Sequence, residues 1–469
     1  MKKHVAPACG LQGRIKVPAD KSIAQRAALF ALLTKEPSCI ANYPLAEDPQ
    51  TALACTEKLG ARVSRKGDEI RVRGVGRNGL AGPDIMIDCG NSGTVMRMLS
   101  GILAGAGRAA TLAGDKSLSR RPMKRIIDPL EQMGARIRSS VGGYPPLHVS
   151  RNQHLKPIDF LLPVPSAQLK SCVLLAGLFG ESPTRVTEPV ASRNHTEIML
   201  QLPTHREGGM HVITSSALQF IPAQNLTVPG DFSAAAFWLV AGSIVENSDI
   251  ILPDTGVNPT RSAALDILRR MGADIRMEAG IDVNGFPPGY RTRLQEEQQK
   301  EQQNDRNKTP SETEQHSRMT PPGDGEPVAG LRVRTARLNP TEIQPHEIPI
   351  AIDELPVLCV AMAFADGVSR ITGAAELRHK ETDRLAAIQA ILEAGGVRVE
   401  ALQDGLVIHG DPERIIHPAR HDSRHDHRMA MSAAILSLRA ASVSEIDHAE
   451  AASVSYPSFW SHLDSLAHI

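Results

Sequence analysis

Residues suited to binding phosphate or carboxylate recur in one setting along this chain, the opening of an apolar helical segment. Six segments share the design: DKSIAQRAALFALLT (20–34), NSGTVMRMLSGILAG (91–105), PSAQLKSCVLLAGL (165–178), GDFSAAAFWLVAGSI (230–244), DELPVLCVAMAFADG (353–367) and DHRMAMSAAILSLRAA (426–441). A helix start has unpaired N–H groups and a partial positive charge, so it favours anions. Ser, Thr, Asp and Asn at such openings are also ordinary N-caps. Lys21, Arg26, Arg97, Lys170 and Arg428 are not caps. A cation near a helix start opposes the dipole and needs another reason to be there. Convergence of several openings predicts a pocket for substrates carrying several negative groups.

The segments that follow are apolar nearly all round, which marks buried helices. A second type of helix accompanies them. ACTEKLGARV (54–63), PLEQMGARI (129–137), DILRRMGADI (266–275) and AILEAGGVRV (390–399) each end an amphipathic helix, place Gly at its exit and enter an alternating strand. A left-handed helix exit favours Gly because it lacks a Cβ. Weaker copies are SRNHTEIML (192–200) and SYPSFWSHLDSL (455–466). Units recur about every 70 residues, which predicts an α/β architecture built from six repeats. Residues 291–327, rich in Gln, Glu and Pro, break the pattern. They read as a disordered insertion in a hairpin of the fourth unit, without a role in chemistry.

A length of 469 residues fits two or three domains. Lys plus Arg and Asp plus Glu both number 52, so the basic excess of a phosphate-neutralising nucleic-acid binder is absent. No apolar run reaches the roughly 18 residues of a membrane span. The opening MKKHVAPACGLQGRIKV lacks the apolar centre of a secretory signal. Six cysteines without a CxxC pair read as reduced thiols of a cytoplasmic protein. GVGRNG (74–79) matches a dinucleotide fingerprint, but LAGPDIMID follows it in place of a helix. His417, His421, His425 and His427 share no helical face and read as packing residues rather than metal ligands.

VPADKSIAQRA (17–27), DCGNSGTVMR (88–97), SRRPMKRIIDPLEQMGA (119–135), SAQLKSCVLLAGL (166–178), VPGDFSAAAF (228–237), IDELPVL (352–358), ELRHKETDRL (376–385) and HDHRMAM (425–431) occur in an order that closely resembles the 5-enolpyruvylshikimate-3-phosphate synthase family. The matches span nearly the whole chain outside the insertion. The resemblance implies an inside-out α/β barrel of two domains, each with three βαβαββ units around buried helices. The N-terminal domain would cover 19–227, and the C-terminal domain 1–18 with 228–469. It implies enolpyruvyl transfer from phosphoenolpyruvate to the 5-hydroxyl of shikimate 3-phosphate with release of phosphate. It further implies no metal or organic cofactor, no nucleic-acid or membrane partner, and a monomer.

Carried over residue by residue, the resemblance places Asp353 beside the 5-hydroxyl as its base. It gives Glu381 and Lys21 the proton at carbon 3 and the leaving phosphate, with Lys380 tuning Glu381. Lys21, Gly93, Thr94, Arg121, Gln168, Arg384 and Arg428 would bind phosphoenolpyruvate. Lys21, Ser22, Arg26, Ser166, Gln168, Ser192, Asp353 and Lys380 would bind shikimate 3-phosphate, with Arg193 beside Ser192. Guanidinium forks suit phosphate and carboxylate in bidentate geometry. Asn91 would shape the turn before Gly93. The chain departs from the family pattern at Ala19, Ala24, Gln25, Pro165, Asn194 and Val454. The rival readings are enolpyruvyl transfer to UDP-N-acetylglucosamine, whose enzyme lacks the DKS, KETDR and DHR set, and an inactive anion-binding protein. Opening and closing of the two domains about residues 17–20 and 226–230 is expected.

Overall fold

All six apolar segments fold as helices: Lys21–Leu32, Gly93–Gly105, Ala167–Gly177, Phe232–Ile244, Leu355–Ala363 and His427–Ser437, each named below by its first residue. The computed structural model describes residues 1–81, 84–151, 155–278 and 325–468. Every residue of the Phe232, Leu355 and His427 helices is buried, as their largely apolar and small composition favours, and in the last of them the polar His427 and Arg428 are buried too. The amphipathic helices Glu47–Lys58, Lys124–Gln132, Ala263–Arg270 and Arg384–Ala394 lie outside them. Gly60, Gly134, Gly272 and Gly396 follow these four helices with φ between 84° and 106°, the left-handed exit predicted from the sequence.

Six separate sheets surround the helices, and among the described residues none closes into a barrel. Four follow one plan: a parallel edge strand, its partner, then two antiparallel strands in reversed order. Ile85–Asp88, Ala110–Ala113, Tyr144–Val149 and Ile137–Ser140 form one such sheet. Distant segments complete the others. Leu226–Thr227 supplies the edge of the first sheet beside Pro37–Ala41. Gly10–Arg14 pairs in parallel with Asp249–Gly256 in the fourth, and Lys2–Val5 pairs with Ser444–Asp447 in the sixth. In the fourth sheet Asp274–Glu278 and Val328–Arg334 pair as a hairpin. The segment predicted as disordered lies between them, and its residues 291–324 fall outside the described residues. Its last part is ordered, against the expectation of disorder over 291–327: Glu326 is packed at 8% side-chain exposure, and Pro327 accepts a hydrogen bond from Val257.

The apolar side chains form two cores. One runs from Ile23 to Val228. The other runs from Phe232 to Leu466 and includes Val5, Leu11, Ile15 and Val17. The chain passes between them twice. The passages lie side by side, with Asp20 N–H donating to Pro229 O and Asp231 N–H to Pro18 O, both at 2.8 Å. Gly101 lets the Gly93 and Ala167 helices touch: a Cβ there would lie 2.2 Å from the Cys172 carbonyl oxygen. GVGRNG closes the far end of the Lys21 helix, where Val75 and Gly76 N–H both donate to Leu32 O.

Candidate active site

Five of the six helix openings divide into two electrostatic types, and the Leu355 helix has no side-chain cap. Asp20, Asp231 and Asp426 cap the Lys21, Phe232 and His427 helices with carboxylates, accepting from Ser22 and Ile23, from Ser233 and from Arg428. Negative caps already answer those dipoles. The Gly93 and Ala167 helices are capped by neutral Ser92 and Ser166, so their positive ends stay available to an external anion.

The first turns of those two helices touch. Gln168 Nε2 donates to Thr94 Oγ1 at 2.8 Å, and Arg97 donates to Gln168 Oε1. Gln168 therefore bridges the two openings. Arg121 reaches the same mouth from the 3-10 turn Leu118–Arg120, its Nη2 donating to Asn91 Oδ1 at 2.9 Å. Asn91 also donates to Asp115, so it fixes both the turn and Arg121. Burial, with Arg121 and Arg125 nearby, pushes Arg97 down to about 10. The repelling cations mark this mouth as positive, the setting that an anion stabilises.

On the second core, Asp353 stands just ahead of Glu354, the N-cap residue of the Leu355 helix. Its carboxylate pairs with Arg193 from the other core, and lies 3.5 Å from Arg428 Nη2 and 3.7 Å from both Arg384 Nη1 and Arg261 Nη1. Burial raises Asp353, but Arg428, Arg193, Arg261 and Lys380 outweigh it and hold the carboxyl well below its ordinary range. Arg384 is 2% exposed and binds Glu381 Oε2 at 2.7 Å and Asp426 Oδ2 at 2.8 Å. Burial raises Glu381, but Arg384, a backbone hydrogen bond and Arg121 outweigh it and bring it down to about 2. His427 is kept neutral by burial and by Arg428, Arg384 and Lys21. Arg121 and Lys21 thus act electrostatically on groups of the opposite core.

Most of the predicted residues gather in this crevice, though several have partners that the sequence did not suggest. Lys21 Nζ lies 3.3 Å from Asp48, and Lys380 lies 3.5 Å from Glu376. Arg26 is buried at 3% exposure; it donates to Thr196 Oγ1 and Ser171 Oγ, and to the carbonyl of Ser22. Ser192 directs both its N–H and its hydroxyl at Glu188. Lys170 is answered internally by Glu188 at 2.9 Å and Glu197 at 2.6 Å, so no ligand is needed to explain it. Val454 is 58% exposed. His425 stacks on His448 with ring centroids 3.8 Å apart, and His421 is buried.

Arg261 and the capping role of Asp426 were missed. A signal for the first existed in the repeated VPAD (17–20) and VPGD (228–231), which place an aspartate at each passage between the cores. Two helix openings with neutral serine caps and five guanidiniums around two carboxylates define a protein that handles small, multiply anionic molecules. The family model described as EPSP synthase (3-phosphoshikimate 1-carboxyvinyltransferase) matches residues 5–301 and 317–463, and the chain belongs to that family. Similar proteins include the 3-phosphoshikimate 1-carboxyvinyltransferase of Salinibacter ruber, 41% identical over 470 residues and 100% of both chains. That of Gloeobacter violaceus is 44% identical over 468 residues, covering 98% of this chain and 97% of its own. An EPSP synthase structure from Acinetobacter baumannii matches with a TM-score of 0.81 at 33% identity, over 99% of this chain and 98% of that one. The enolpyruvyl transferase NikO from Streptomyces tendae, 16% identical with a TM-score of 0.69, shares the fold.

Proposed function

We propose that this protein transfers the enolpyruvyl group of phosphoenolpyruvate to the 5-hydroxyl of shikimate 3-phosphate and releases phosphate. The observation that carries this reading is that one guanidinium, Arg384, lies against both carboxylates needed for proton traffic, Asp353 and Glu381. The mouth formed by Gly93, Thr94, Arg121 and Gln168, with Arg384 and Arg428 opposite, receives phosphoenolpyruvate. The Ser166 opening, with Gln168, Ser192, Ser22, Arg26, Lys21 and Lys380, receives shikimate 3-phosphate.

Glu381 is ionised while Arg384 holds it, and gains a proton only as substrate anions draw that guanidinium away. Carbon 3 of the enol then takes a proton from Glu381 or Lys21, and carbon 2 becomes cation-like. The 5-hydroxyl oxygen bonds to carbon 2 as Asp353 accepts its proton, giving a tetrahedral ketal. A proton then leaves carbon 3, the carbon 2–phosphate bond breaks, and the enol ether and phosphate result. Asp353 is ionised but weakly basic while Arg428 and Arg193 hold it. Substrate anions compete for those guanidiniums, and its basicity rises toward that of an ordinary carboxylate. Closing two domains, 19–227 against 1–18 with 228–469, excludes water from the cation-like carbon.

Coupled phosphate release tests the assignment. Release is expected only with both shikimate 3-phosphate and phosphoenolpyruvate, and not when UDP-N-acetylglucosamine replaces the shikimate. Release with the UDP-sugar alone as acceptor would transfer the assignment to that reaction.

A further inference from the structure

Arg261 precedes the helix Ala263–Arg270 and is 4% exposed. Four carboxylates surround it. Nη1 lies 2.9 Å from Glu354 Oε1 and 3.7 Å from Asp353 Oδ2. Nη2 lies 3.0 Å from Asp231 Oδ1, and Nε 3.9 Å from Asp20 Oδ2. Asp20 and Asp231 are the caps that stand where the chain passes between the two cores. Asp353 and Glu354 head the Leu355 helix. One planar fork thus joins both passages to the carboxylate proposed as the base. Lysine, a point charge on a flexible stem, could not hold so many partners in fixed directions.

We propose that Arg261 is a positioning residue for the transfer: it fixes Asp353 in the crevice and ties its charge to the two passages between the cores. The inference rests on the role given to Asp353 above. Other charged groups face the same pair. Arg193 reaches Asp353 from the opposite core, and Arg384, Arg428 and Lys380 from its own. His195 acts on Asp20 from the far side. Ser233 Oγ lies between Glu354 and Arg428, donating to the first and accepting from the second. Arg261 differs from all of these in touching both passages. A substrate anion can draw Arg193 or Arg428 away, whereas Arg261, enclosed by four carboxylates, stays in place.

The test compares the wild type with Arg261→Met and Arg261→Lys by phosphate release across pH 3 to 9. In Arg261→Met, kcat falls about ten- to a hundredfold, part of what a displaced general base costs. KM for both substrates stays within about threefold, since neither touches Arg261. The acid limb of kcat moves up by about one pH unit, because an aspartate that loses a cation holds its proton more tightly. The deficit therefore shrinks as pH rises. Arg261→Lys keeps the charge, so its acid limb stays near that of the wild type while kcat remains about threefold low for want of the fork. A low rate with an unmoved acid limb in Arg261→Met means a purely structural residue and overturns the proposal, as does an unchanged kcat. Should circular dichroism show Arg261→Met unfolded, Arg261→Lys decides alone: wild-type kcat overturns the proposal. An inactive wild type refutes the transferase reading, not this one. The carbon-13 titration of labelled aspartate, with Asp353→Asn for assignment, then gives the answer: a raised Asp353 midpoint in Arg261→Met supports the coupling, and an unmoved one overturns it.

Discussion

Replacing Gly93 by alanine adds one methyl group at the mouth proposed for phosphoenolpyruvate, and the structure fixes what that methyl meets. Gly93 opens its helix with φ outside the left-handed region, so alanine strains no backbone. The new Cβ would lie 2.8 Å from Arg97 Nη1 and 3.7 Å from Arg121 Nη1. The first distance is too short, so the end of Arg97 must move and loosen its bond to Gln168. Losing a hydrogen bond to a charged group costs about 1.5–3 kcal/mol. The helix preference of alanine over glycine returns up to ~1 kcal/mol. A net loss of ~1 kcal/mol lowers Tm by only a few degrees in a chain of this size. Function suffers more specifically. The methyl stands where an anion must approach the helix N–H groups, and the displaced Arg97 weakens the positive field there. KM for phosphoenolpyruvate should rise about tenfold, equivalent to ~1.4 kcal/mol. KM for shikimate 3-phosphate should change less than about threefold, because among the groups placed there only Gln168 is disturbed, while Ser166 and Arg26 are untouched. A phosphonate inhibitor bulkier than phosphoenolpyruvate should lose more affinity than the substrate does. Initial-rate kinetics by phosphate release, with differential scanning calorimetry for Tm, reads all of these. An unchanged KM for phosphoenolpyruvate in a folded Gly93→Ala protein would refute the placement of that substrate.

Asp353→Ala and Glu381→Gln should each lower kcat by roughly 10²–10⁴ while circular dichroism stays unchanged. Near-normal turnover in either would remove its role in proton transfer. His421 is buried, neither ring nitrogen has a partner, and burial brings its pKa from 6.5 down to about 4. The unfolded chain binds that proton more readily, so the stability from neutral His421 is present above pH 6.5 and lost as pH falls toward 4, by up to ~3 kcal/mol. In His421→Leu the fall of Tm between pH 7 and 4 should be shallower; parallel curves would contradict this. Small-angle X-ray scattering should show a smaller radius of gyration with both substrates bound, and an identical value with and without them would argue against domain closure.

The parts of the fold that local pattern encodes were legible in the sequence. The six buried helices announce themselves by long apolar stretches behind polar openings, and Gly60, Gly134, Gly272 and Gly396 announce the helix exits. The sheet plan was not legible in the same way. Nothing in LT (226–227) says that it pairs beside Ile40 and Ala41, nor in KKHV (2–5) that it pairs with Ser444–Asp447. Such pairings depend on chain closure over hundreds of residues. The site divides along the same line. Arg121, Asp353 and Glu381 stood out through motif resemblance, while Arg261 sits in NPTR (258–261), whose neighbours carry no charge pattern. Its four carboxylates come from three distant stretches of chain. Lys170 shows the opposite error: a cation near a helix start suggested a ligand, but Glu188 and Glu197 neutralise it from within.

The most direct test of addition and elimination in this crevice is a complete reaction run in heavy water and read by NMR. If carbon 3 is protonated from solvent-exchanged Glu381 or Lys21 and later loses a proton, deuterium must enter the vinyl group of the enol ether, and phosphate must form mole for mole with it. Phosphate from phosphoenolpyruvate alone, or an enol ether free of deuterium, would contradict the account.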